Sequence, residues 1–386
     1  MKVCQLIDFV NVGGAGIAAD RIATALQEFS DFEISQISTS HEKTSNNKIF
    51  LGHSRKIQLL NILSQCFSKS YLKRFRDYDI CIQLKKILLR EKPDIINVHN
   101  IHSAGWPLTV IQTCLKHCPV AWTLHDCWSF LGAYYPTHSP TPTPESNKQI
   151  DSFWSSEHPN LTAITPSIWL EKQALASKWS RSEITTIHNP VPRTFFSSKD
   201  AKACREALGL KPYLPTIMCI AGNLNEERKG GKILMDILKS NLTDNVQFLL
   251  IGKGDFVQTE KIKCLGFVND EVTIQIAYHA SDLLLHPAPI DNLPNTVAES
   301  ISCGTPVLAF NTGGLPEMIL SSKSGWLVEE IDSISMGNEL ASIISSAKFR
   351  EIRIPTKKHA KKLFDSSIVR QNYSDMFNSI VQSEHT

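Results

Sequence analysis

Short apolar segments alternate with longer helical stretches along the whole chain, and this alternation limits the choice of fold more than any other feature. Several of these segments are apolar on consecutive residues, as in Ile-Met-Cys-Ile at 217–220. Strands that are apolar on both faces and separated by helices are typical of a parallel sheet covered on both sides. The strands predicted in this way are residues 2–9, 32–38, 95–99, 120–124, 161–165 and 184–188, followed by 216–221, 246–251, 262–265, 283–286 and 306–309.

The alternation starts again after residues 188–192, His-Asn-Pro-Val-Pro. Two prolines within three residues make this segment a stiff connection. A chain of 386 residues is also longer than one core usually accommodates. We therefore predict two doubly wound α/β units joined near residue 190. Ligands of such sheets bind at the carboxyl ends of the strands, so the cleft between the units is the expected site.

The composition is that of a globular protein, with 42% hydrophobic and 20% charged residues. A formal net charge of +2 does not favour nucleic acid as the main partner. The apolar stretch near the amino terminus is interrupted by Gln5, Asp8 and Asn11, and no run approaches the roughly 18 apolar residues of a membrane span. We therefore expect a cytoplasmic location.

The ten cysteines are scattered and form no Cys-x2-Cys pair. Cys114, His117 and Cys118 are close together on a predicted helix, which invites a zinc site. A closed zinc site needs four ligands, however, and the sequence does not supply them. Buried free thiols are the better interpretation.

The nonapeptide Asp-Asn-Leu-Pro-Asn-Thr-Val-Ala-Glu, which begins at Asp291, carries the most information about function. Pro294 or Asn295 is predicted to start a helix, which leaves Asp291 in the preceding loop and Glu299 about one turn inside. The amides of residues 296–298 would have no intrahelical partner, and the helix dipole would add positive charge there. The segment could therefore hold a phosphate and grip hydroxyl groups on both sides of it.

Two further segments offer groups that bind phosphate. Residues 13–16, Gly-Gly-Ala-Gly, follow the first strand, and glycine lets a backbone approach a phosphate or a sugar closely. They do not complete a G-x-G-x-x-G dinucleotide motif, and a tight turn explains them equally well. Arg228 and Lys229 open a later helix, where charge-assisted hydrogen bonds of about 1.5 to 3 kcal/mol each could stabilise a departing nucleoside diphosphate.

The spacing of Asp291 and Glu299 resembles the acid-x7-Glu signature of family-4 retaining glycosyltransferases of the GT-B fold. Two acids eight apart are common, and a capped helix with incidental acids is the alternative. The surrounding residues make the resemblance specific, because Cys-Gly-Thr-Pro-Val follows at 303–307 and Asn-Thr-Gly-Gly-Leu-Pro-Glu at 311–317.

The resemblance implies two Rossmann-like doubly wound domains that face each other across a cleft. Residues 1–189 would form the acceptor domain, and a helix at about 366–386 would cross back to it. Residues 190–365 would form the nucleotide-sugar domain.

Particular roles follow from the same resemblance. The residues it places at the reacting sugar and the diphosphate are His125, Asp291, Arg228 and Lys229. The residues it places around the rest of the donor are Gly14, Asn292, Leu293, Thr296, Val297, Glu299, Gly252 and Phe267. Asp291 would hold hydroxyl groups of the sugar and Glu299 the ribose, while Gly252 and Phe267 lie in loops that match those flanking the base.

The reaction implied is transfer of a hexosyl group, with retention, from a nucleotide-sugar donor to a glycan or lipid-linked acceptor in bacterial polysaccharide or lipopolysaccharide assembly. No metal or cofactor is expected, because cations and a helix start would stabilise the leaving diphosphate. The sequence offers no acid and nucleophile pair like that of a hydrolase, so the acceptor would attack the face that the diphosphate leaves. A nucleotide-sugar epimerase on the same fold and a degenerate nucleotide-binding partner subunit remain alternatives.

The chain departs from the family pattern in two places. The motif His-Asp-Cys-Trp at 125–128 is present, but the cysteine-rich insertion that often follows it in relatives is absent. In its place, residues 129–160 form a proline-rich segment without clear periodicity, which is typical of a lid or of disorder. Asn223 also stands where many relatives have arginine, which removes one expected contact to phosphate or sugar.

His99 and His102 follow a predicted strand and could suggest a metal, but no carboxylate companion is near in sequence. The preferred interpretations are a loop that faces the acceptor and is shaped with Trp106, or packed histidines.

Residues 48–92 contain eleven Lys and Arg against three acids, a balance of 11 minus 3, or +8, with apolar residues interleaved at helical spacing. Such an element suits an anionic membrane surface on the inner face of the plasma membrane, and a basic face in solvent is the alternative.

Overall fold

The protein contains two separate parallel sheets, each with helices on both faces. The computed structural model describes residues 1–28, 31–39, 48–52, 69–137, 142–240, 245–321 and 323–383. The strands are β1 Lys2–Leu6, β2 Glu33–Ser38, β3 Lys48–Phe50, β4 Ile95–Val98, β5 Val120–Thr123, β6 Leu161–Thr165, β7 Ile184–Thr186, β8 Thr216–Asn223, β9 Gln247–Lys253, β10 Ile262–Gly266, β11 Leu283–His286, β12 Val307–Phe310 and β13 Gly325–Val328.

Most of the helices connect consecutive parallel strands, and the last three follow the final strand. They are α1 Gly13–Gln27, α2 Lys69–Glu91, α3 Thr109–Leu115, α4 Trp128–Leu131, α5 Pro144–Phe153, α6 Ile168–Leu175, α7 Ala201–Ala207, α8 Gly231–Lys239, α9 Glu271–Ala280, α10 Asn295–Ser302, α11 Leu315–Met318, α12 Ser333–Ser346, α13 Arg353–Phe364 and α14 Ser366–Ser383. Short 3₁₀ turns lie at Lys178–Arg181, Arg193–Phe196, Glu227–Lys229 and Lys348–Arg350.

The order of strands is that of two doubly wound units. The first sheet runs β3-β2-β1-β4-β5-β6-β7 and the second runs β10-β9-β8-β11-β12-β13, with every pair parallel. The predicted α/β class with two Rossmann-like units is therefore confirmed. In each sheet the order in which strands are added reverses next to the first strand, between β1 and β4 in one sheet and between β8 and β11 in the other. Ligands of doubly wound sheets bind at this switch point.

Two edge strands, β3 and β13, were not predicted. β3 has only three residues, and β13 begins at Gly325, a residue that weakens a strand pattern. Both lie at the outer edge of a sheet, where they pair with one neighbour only. Hydrogen bonding to that neighbour stabilises each of these strands, although its own sequence does not predict a strand.

The connections between the two units lie side by side. The amide of Val191 donates to the carbonyl oxygen of Phe364 at 2.9 Å, and Val191 forms an isolated bridge with Asp365. After Asp365 the chain enters α14, whose Val369 and Tyr373 pack in the core beside β1 and α1 of the first sheet. The last helix therefore contributes to the core of the unit that begins the chain.

The predicted lid over residues 129–160 contains regular structure. Helix α5 starts at Pro144, where the side chain of Thr143 accepts the amide hydrogen of Ser146 at 3.1 Å, and α4 ends at Leu131. The proline at a first helical position and the threonine cap are ordinary signals that the many prolines nearby obscured. Residues 138–141 lie outside the described part of the chain.

The nine cysteines in the described residues are free thiols, six of them buried. Within the same residues, no group of three or more His, Cys, Asp or Glu side chains is placed to hold a metal ion. Nor does any described helix combine the length and the hydropathy that crossing a bilayer demands. Of the basic region over 48–92, residues 53–68 lie outside the described part.

Candidate active site

Asp291 lies at the centre of the site, in the loop that follows β11. Its side chain is only 7% exposed, and its Oδ2 accepts a hydrogen bond from Nζ of Lys229 at 2.6 Å. Its Oδ1 accepts from the hydroxyl of Tyr135 at 3.2 Å and from the amide of Asn292 at 3.0 Å. His286 Nε2 lies 3.7 Å from Oδ2. Groups from both units therefore converge on one carboxylate.

This environment fixes the charge of Asp291. Burial alone would raise the pKa of the carboxyl group, but Lys229, His286 and Arg228 outweigh burial and lower the pKa to about 2. Burial also lowers the pKa of His286 to about 4, with Asp291 opposing and Lys229 adding to the decrease. Near neutral pH the site therefore holds an ionised aspartate beside a neutral histidine.

A close backbone contact brings Lys229 to Asp291. Gly230 has φ +79°, and a Cβ at this position would lie 2.0 Å from the carbonyl oxygen of Pro287, so only glycine fits. The turn before it holds Arg228, whose Nε donates to Glu226 at 2.9 Å. The two predicted cations thus lie at the site, but each already contacts a carboxylate, which the sequence did not indicate.

The start of α10 differs in detail from the prediction. Pro294 is the N-cap residue, and its carbonyl oxygen accepts the amides of Val297 at 3.1 Å and of Ala298 at 3.2 Å. Two of the three amides expected to be available are therefore engaged, Ala298 in the first regular α-helical bond and Val297 in a 3₁₀-type bond. The side chain of Asn295 does not cap the helix and instead donates to the carbonyl oxygen of Gly14 at 2.9 Å. The glycine loop of the first unit and the start of α10 are thus in direct contact.

Glu299 is buried between the two units. Its side chain is 8% exposed, with Oε1 2.8 Å from Nη2 of Arg21 and Oε2 accepting from the hydroxyl of Tyr278 at 3.0 Å. Arg21 belongs to α1 of the first unit and also contacts Glu271 Oε1 at 3.1 Å. A carboxylate predicted to bind ribose is therefore already paired with a cation from the opposite unit.

His125 forms a buried pair with His99. The two rings lie with Nδ1 of His99 3.0 Å from Nε2 of His125. Burial, assisted by His102, lowers the pKa of His125 to about 3, and burial with His125 lowers that of His99 well below its ordinary value. Both rings are therefore neutral and able to donate or accept hydrogen bonds, but not to carry charge.

Asn292 connects the two units beside this histidine pair. Its Nδ2 donates to the backbone carbonyl of His125 at 3.0 Å, and its Oδ1 accepts from the hydroxyl of Ser167 at 2.5 Å. Nearby, the two carboxylate oxygens of Glu317 accept the amides of Ile168 at 2.7 Å and Trp169 at 2.6 Å, at the start of α6. The second unit therefore caps a helix of the first.

A small pocket opens at the carboxyl ends of β4 and β5, and His125 is among its lining residues. His102 and Asp126 line it, with Nε2 and Oδ2 3.4 Å apart. The ring of His102 stacks on Trp128 at 4.8 Å between centroids. Burial raises the pKa of Asp126, while His102, the amide of Trp128 and Arg228 lower it, and burial is the largest of these effects. Trp106, in contrast, is 3% exposed and packs in the core.

The remaining predicted residues divide into surface and core. Phe267 is 56% exposed, and its ring lies 5.8 Å from Nζ of Lys253. Gly252 has φ +139°, and a Cβ there would lie 2.0 Å from the carbonyl oxygen of Ala221. Leu293 and Val297 are 6% and 0% exposed, so their side chains belong to the core of the second unit.

Five contacts of the site were missed from the sequence. The residues that make them are Arg21, Tyr135, Tyr278, His286 and Glu317. Glu317 lies within the Asn-Thr-Gly-Gly-Leu-Pro-Glu stretch, which was a usable signal. The others lie in ordinary helix, strand or loop sequence, and only the fold brings them to the acids.

Two family models match the chain, one in each half. A model described as Glycosyltransferase Family 4 matches residues 12–195, and one described as Glycosyl transferases group 1 matches residues 215–346. The phosphatidyl-myo-inositol mannosyltransferase of Mycobacterium leprae is 24% identical over 220 residues, which are 54% of this chain and 58% of that protein. The chain thus spans just over half the length of this relative.

Two further likenesses extend over nearly the whole chain. WcaC of Escherichia coli, named as a colanic acid biosynthesis glycosyl transferase, is 22% identical over 404 residues, covering 95% of this chain and 97% of WcaC. The crystal structure of HepE of Anabaena in complex with UDP-glucose has a TM-score of 0.72 at 18% identity, covering 98% of this chain and 100% of HepE. With the two family matches and the two facing sheets, the chain belongs to the glycosyltransferases of the GT-B fold, with a family 4 region followed by a group 1 region.

Proposed function

We propose that the protein is a retaining glycosyltransferase that moves a hexosyl group from a nucleotide-sugar to a glycan or lipid-linked acceptor in polysaccharide or lipopolysaccharide assembly. The observation that carries the proposal is the 2.6 Å contact between Lys229 and Asp291. This contact joins the cationic segment after β8 to the acidic segment after β11. It lies at the switch point of the second sheet, where β8 and β11 are neighbours. The name of WcaC supports the polysaccharide context, and the UDP-glucose bound by HepE supports a nucleotide-sugar donor.

The donor diphosphate would lie between Arg228, Lys229 and the start of α10. In that position Lys229 can contact both a phosphate oxygen and Asp291, because its ammonium group has three donors. Charge-assisted hydrogen bonds to the leaving diphosphate would replace the stabilisation that other enzymes obtain from a metal ion. We therefore propose metal-independent transfer.

Asp291 would bind hydroxyl groups of the donor sugar rather than transfer a proton. A carboxyl group with a pKa of about 2 stays ionised near neutral pH and is therefore a poor general acid. His125, neutral and next to Asn292, would contact the same sugar through a hydrogen bond. The proton of the acceptor hydroxyl would then pass to an oxygen of the leaving diphosphate, and the new bond would form on the face that it vacates.

The acceptor would enter from the pocket of the first unit. His102 and Asp126 can hydrogen-bond a sugar hydroxyl, and Trp128 offers an aromatic face. We therefore propose that residues 1–189, with the helix predicted at about 366–386, form an acceptor domain and that residues 190–365 form a donor domain.

The activity is tested with the purified protein and a panel of UDP-, GDP- and ADP-sugars, with glycan and lipid-linked acceptors, in the presence and absence of EDTA. We expect one donor to be used, full activity with EDTA, and an α-linked product from an α-linked donor. A β configuration of the anomeric proton by NMR would overturn retention. Conversion of the donor without acceptor would indicate epimerisation instead.

The basic region over 48–92 would hold the protein on the inner face of the plasma membrane. Each exposed cation near anionic headgroups contributes about 1 kcal/mol, so several suffice for weak peripheral binding. Flotation with liposomes containing acidic lipid at low salt should recover the protein with the lipid. Recovery in the lipid-free fraction would refute this location.

A further inference from the structure

The side chain of Arg21 enters the donor half of the site from the first unit. It projects from α1, and its guanidinium group is 2.8 Å from Oε1 of Glu299 and 3.1 Å from Oε1 of Glu271. The side chain is 9% exposed and lies over the ring of Phe195, with Cζ 5.4 Å from the ring centroid. A buried cation of one unit is thus held by carboxylates of the other.

We propose that Arg21 is a positioning residue that holds the carboxylate of Glu299 in the orientation required to bind the ribose of the donor. The inference rests on the proposed function, in which Glu299 binds the ribose. It adds that nucleotide recognition by the second unit depends on a side chain supplied by the first.

The geometry leaves Glu299 able to bind a ligand. A carboxylate offers about four acceptor positions, two on each oxygen. Arg21 occupies one on Oε1 and Tyr278 one on Oε2, so one position on each oxygen remains. Two adjacent ribose hydroxyls can donate to two such oxygens, and the two protein contacts prevent the carboxylate from rotating away.

Burial explains why the carboxylate needs this partner. An ionised group that is 8% exposed is costly unless a counter-charge compensates it. Arg21 supplies that counter-charge, whereas Tyr278 supplies only a neutral hydrogen bond. Without Arg21 the carboxylate would lose its compensation and bind ribose less well.

The unused donors of Arg21 argue against a purely structural ion pair. Its Nε and Nη1 are buried, and neither has a hydrogen-bond partner among the residues that the structure describes. Buried donors in an ion pair built for stability are normally all bonded. The arrangement favours the orientation of Glu299 over the stability of the fold.

Because of this contact, binding of the ribose also depends on the two units lying next to each other. Gly14 and Asn295 touch at the start of the same two helices, α1 and α10, so Arg21 reaches Glu299 only while these helices lie side by side. Separation of the units would remove the counter-charge from Glu299 and weaken its hold on ribose.

The test compares a nucleoside diphosphate with its 2′-deoxy form. UDP, GDP and ADP are first ranked by thermal shift, and the affinities of the best one and of its 2′-deoxy analogue are then measured by calorimetry. The wild-type protein should prefer the ribonucleotide at least tenfold. Glu299→Gln and Arg21→Met should each reduce that preference to near unity, and the double variant should show no further loss.

Glu271→Gln is the matched control. Glu271 contacts the same guanidinium group, but its side chain is 51% exposed. This variant should therefore keep the wild-type preference for the ribonucleotide. If Arg21→Met fails to fold by circular dichroism, Arg21→Gln replaces it, since it keeps amide donors without the charge, and the same loss is expected.

The outcomes separate the two proposals. If the wild-type protein shows no preference, or Glu299→Gln keeps it, the ribose role of Glu299 is wrong and the inference falls with it. If Glu299→Gln loses the preference while the Arg21 variants keep it, the proposed function stands and the role of Arg21 is refuted. Loss of preference in Glu271→Gln would also refute it, because general electrostatics would then explain the effect.

Discussion

The side chain of Asn292 donates to the backbone carbonyl of His125 at 3.0 Å and so links the loop after β11 to the end of β5 in the other unit. Oδ1 of the same side chain accepts a hydrogen bond from the hydroxyl of Ser167. Both polar ends of one buried side chain, 3% exposed, are therefore satisfied by the opposite sheet.

Replacing Asn292 with Ala should weaken both the contact between the units and the binding of donor. The variant leaves a buried carbonyl and a buried hydroxyl with one partner fewer, which costs about 1 to 3 kcal/mol. We expect a lower free energy of unfolding in urea and a higher KM for the donor. Asn378→Ala, on the exposed face of α14, is the control and should change neither.

Removing the charge of Lys229 should destabilise the protein because it leaves the buried Asp291 without its nearest counter-charge. Lys229 is 24% exposed, so we expect Lys229→Met to cost about 1 to 3 kcal/mol, less than for a fully buried pair. Asp291→Asn in the same chain should restore part of this loss, which urea unfolding of the single and double variants would show. Additive losses would mean that the pair is not coupled.

The same variants report on transfer. Each single change should lower kcat by at least about 100-fold, since the interactions made with charge in the transition state are removed. The double variant should be no worse than the poorer single variant by more than about tenfold. Unchanged transfer in Asp291→Asn would remove Asp291 from the reacting centre.

Gly230→Ala should be strongly destabilising. Its Cβ would lie 2.0 Å from the backbone of Pro287 at a φ of +79°, so both sterics and conformation oppose it. We expect a loss of more than about 2 kcal/mol and weaker nucleotide binding. Gly222→Ala is the matched control: a Cβ there meets nothing within 4 Å, and the change should be within about 0.5 kcal/mol.

Stability should fall as the pH drops below 6.5. The folded-state pKa values of His125 and His286 are lowered to about 3 and about 4, so between pH 6.5 and 4 the unfolded state binds protons that the folded state does not. Their contribution is complete above pH 6.5 and is lost as the pH falls towards those values. Each group adds a slope of about 1.4 kcal/mol per pH unit in that window.

Urea unfolding at pH 5.5, 6.5 and 7.5 measures this slope. We expect the free energy of unfolding to rise from pH 5.5 to 6.5 and to change little above. His286→Gln should show a smaller slope than wild type, because it lacks one of the titrating groups. An equal slope in both proteins would show that His286 is not held neutral by the fold.

The sequence predicted the parts of the fold that depend on local pattern. The apolar segments at 161–165 and 283–286 coincide with β6 and β11, because each is bounded by helix signals and fully buried. By contrast β3, with three half-exposed or exposed residues, has no apolar pattern of its own. Such a strand forms because β2 offers an open edge, which no local sequence shows.

The site was predictable only where its chemistry lies in one segment. Asp291 and Glu299 are recognisable by their spacing around a helix start. Their partners Tyr135 and Arg21 are separated from them by more than 150 residues and carry no motif, so their contribution depends on how the two units face each other. The pairing of Lys229 with Asp291 likewise follows from the close contact at Gly230.

The crossing of α14 back to the first sheet has a consequence for synthesis. Val369, Tyr373 and Phe377 complete the core beside Val3, so the unit translated first cannot close until residues near 380 have emerged from the ribosome. Nonsense or frameshift lesions that remove Val369, Tyr373 and Phe377 should therefore damage the amino-terminal sheet, and leave the second unit comparatively intact.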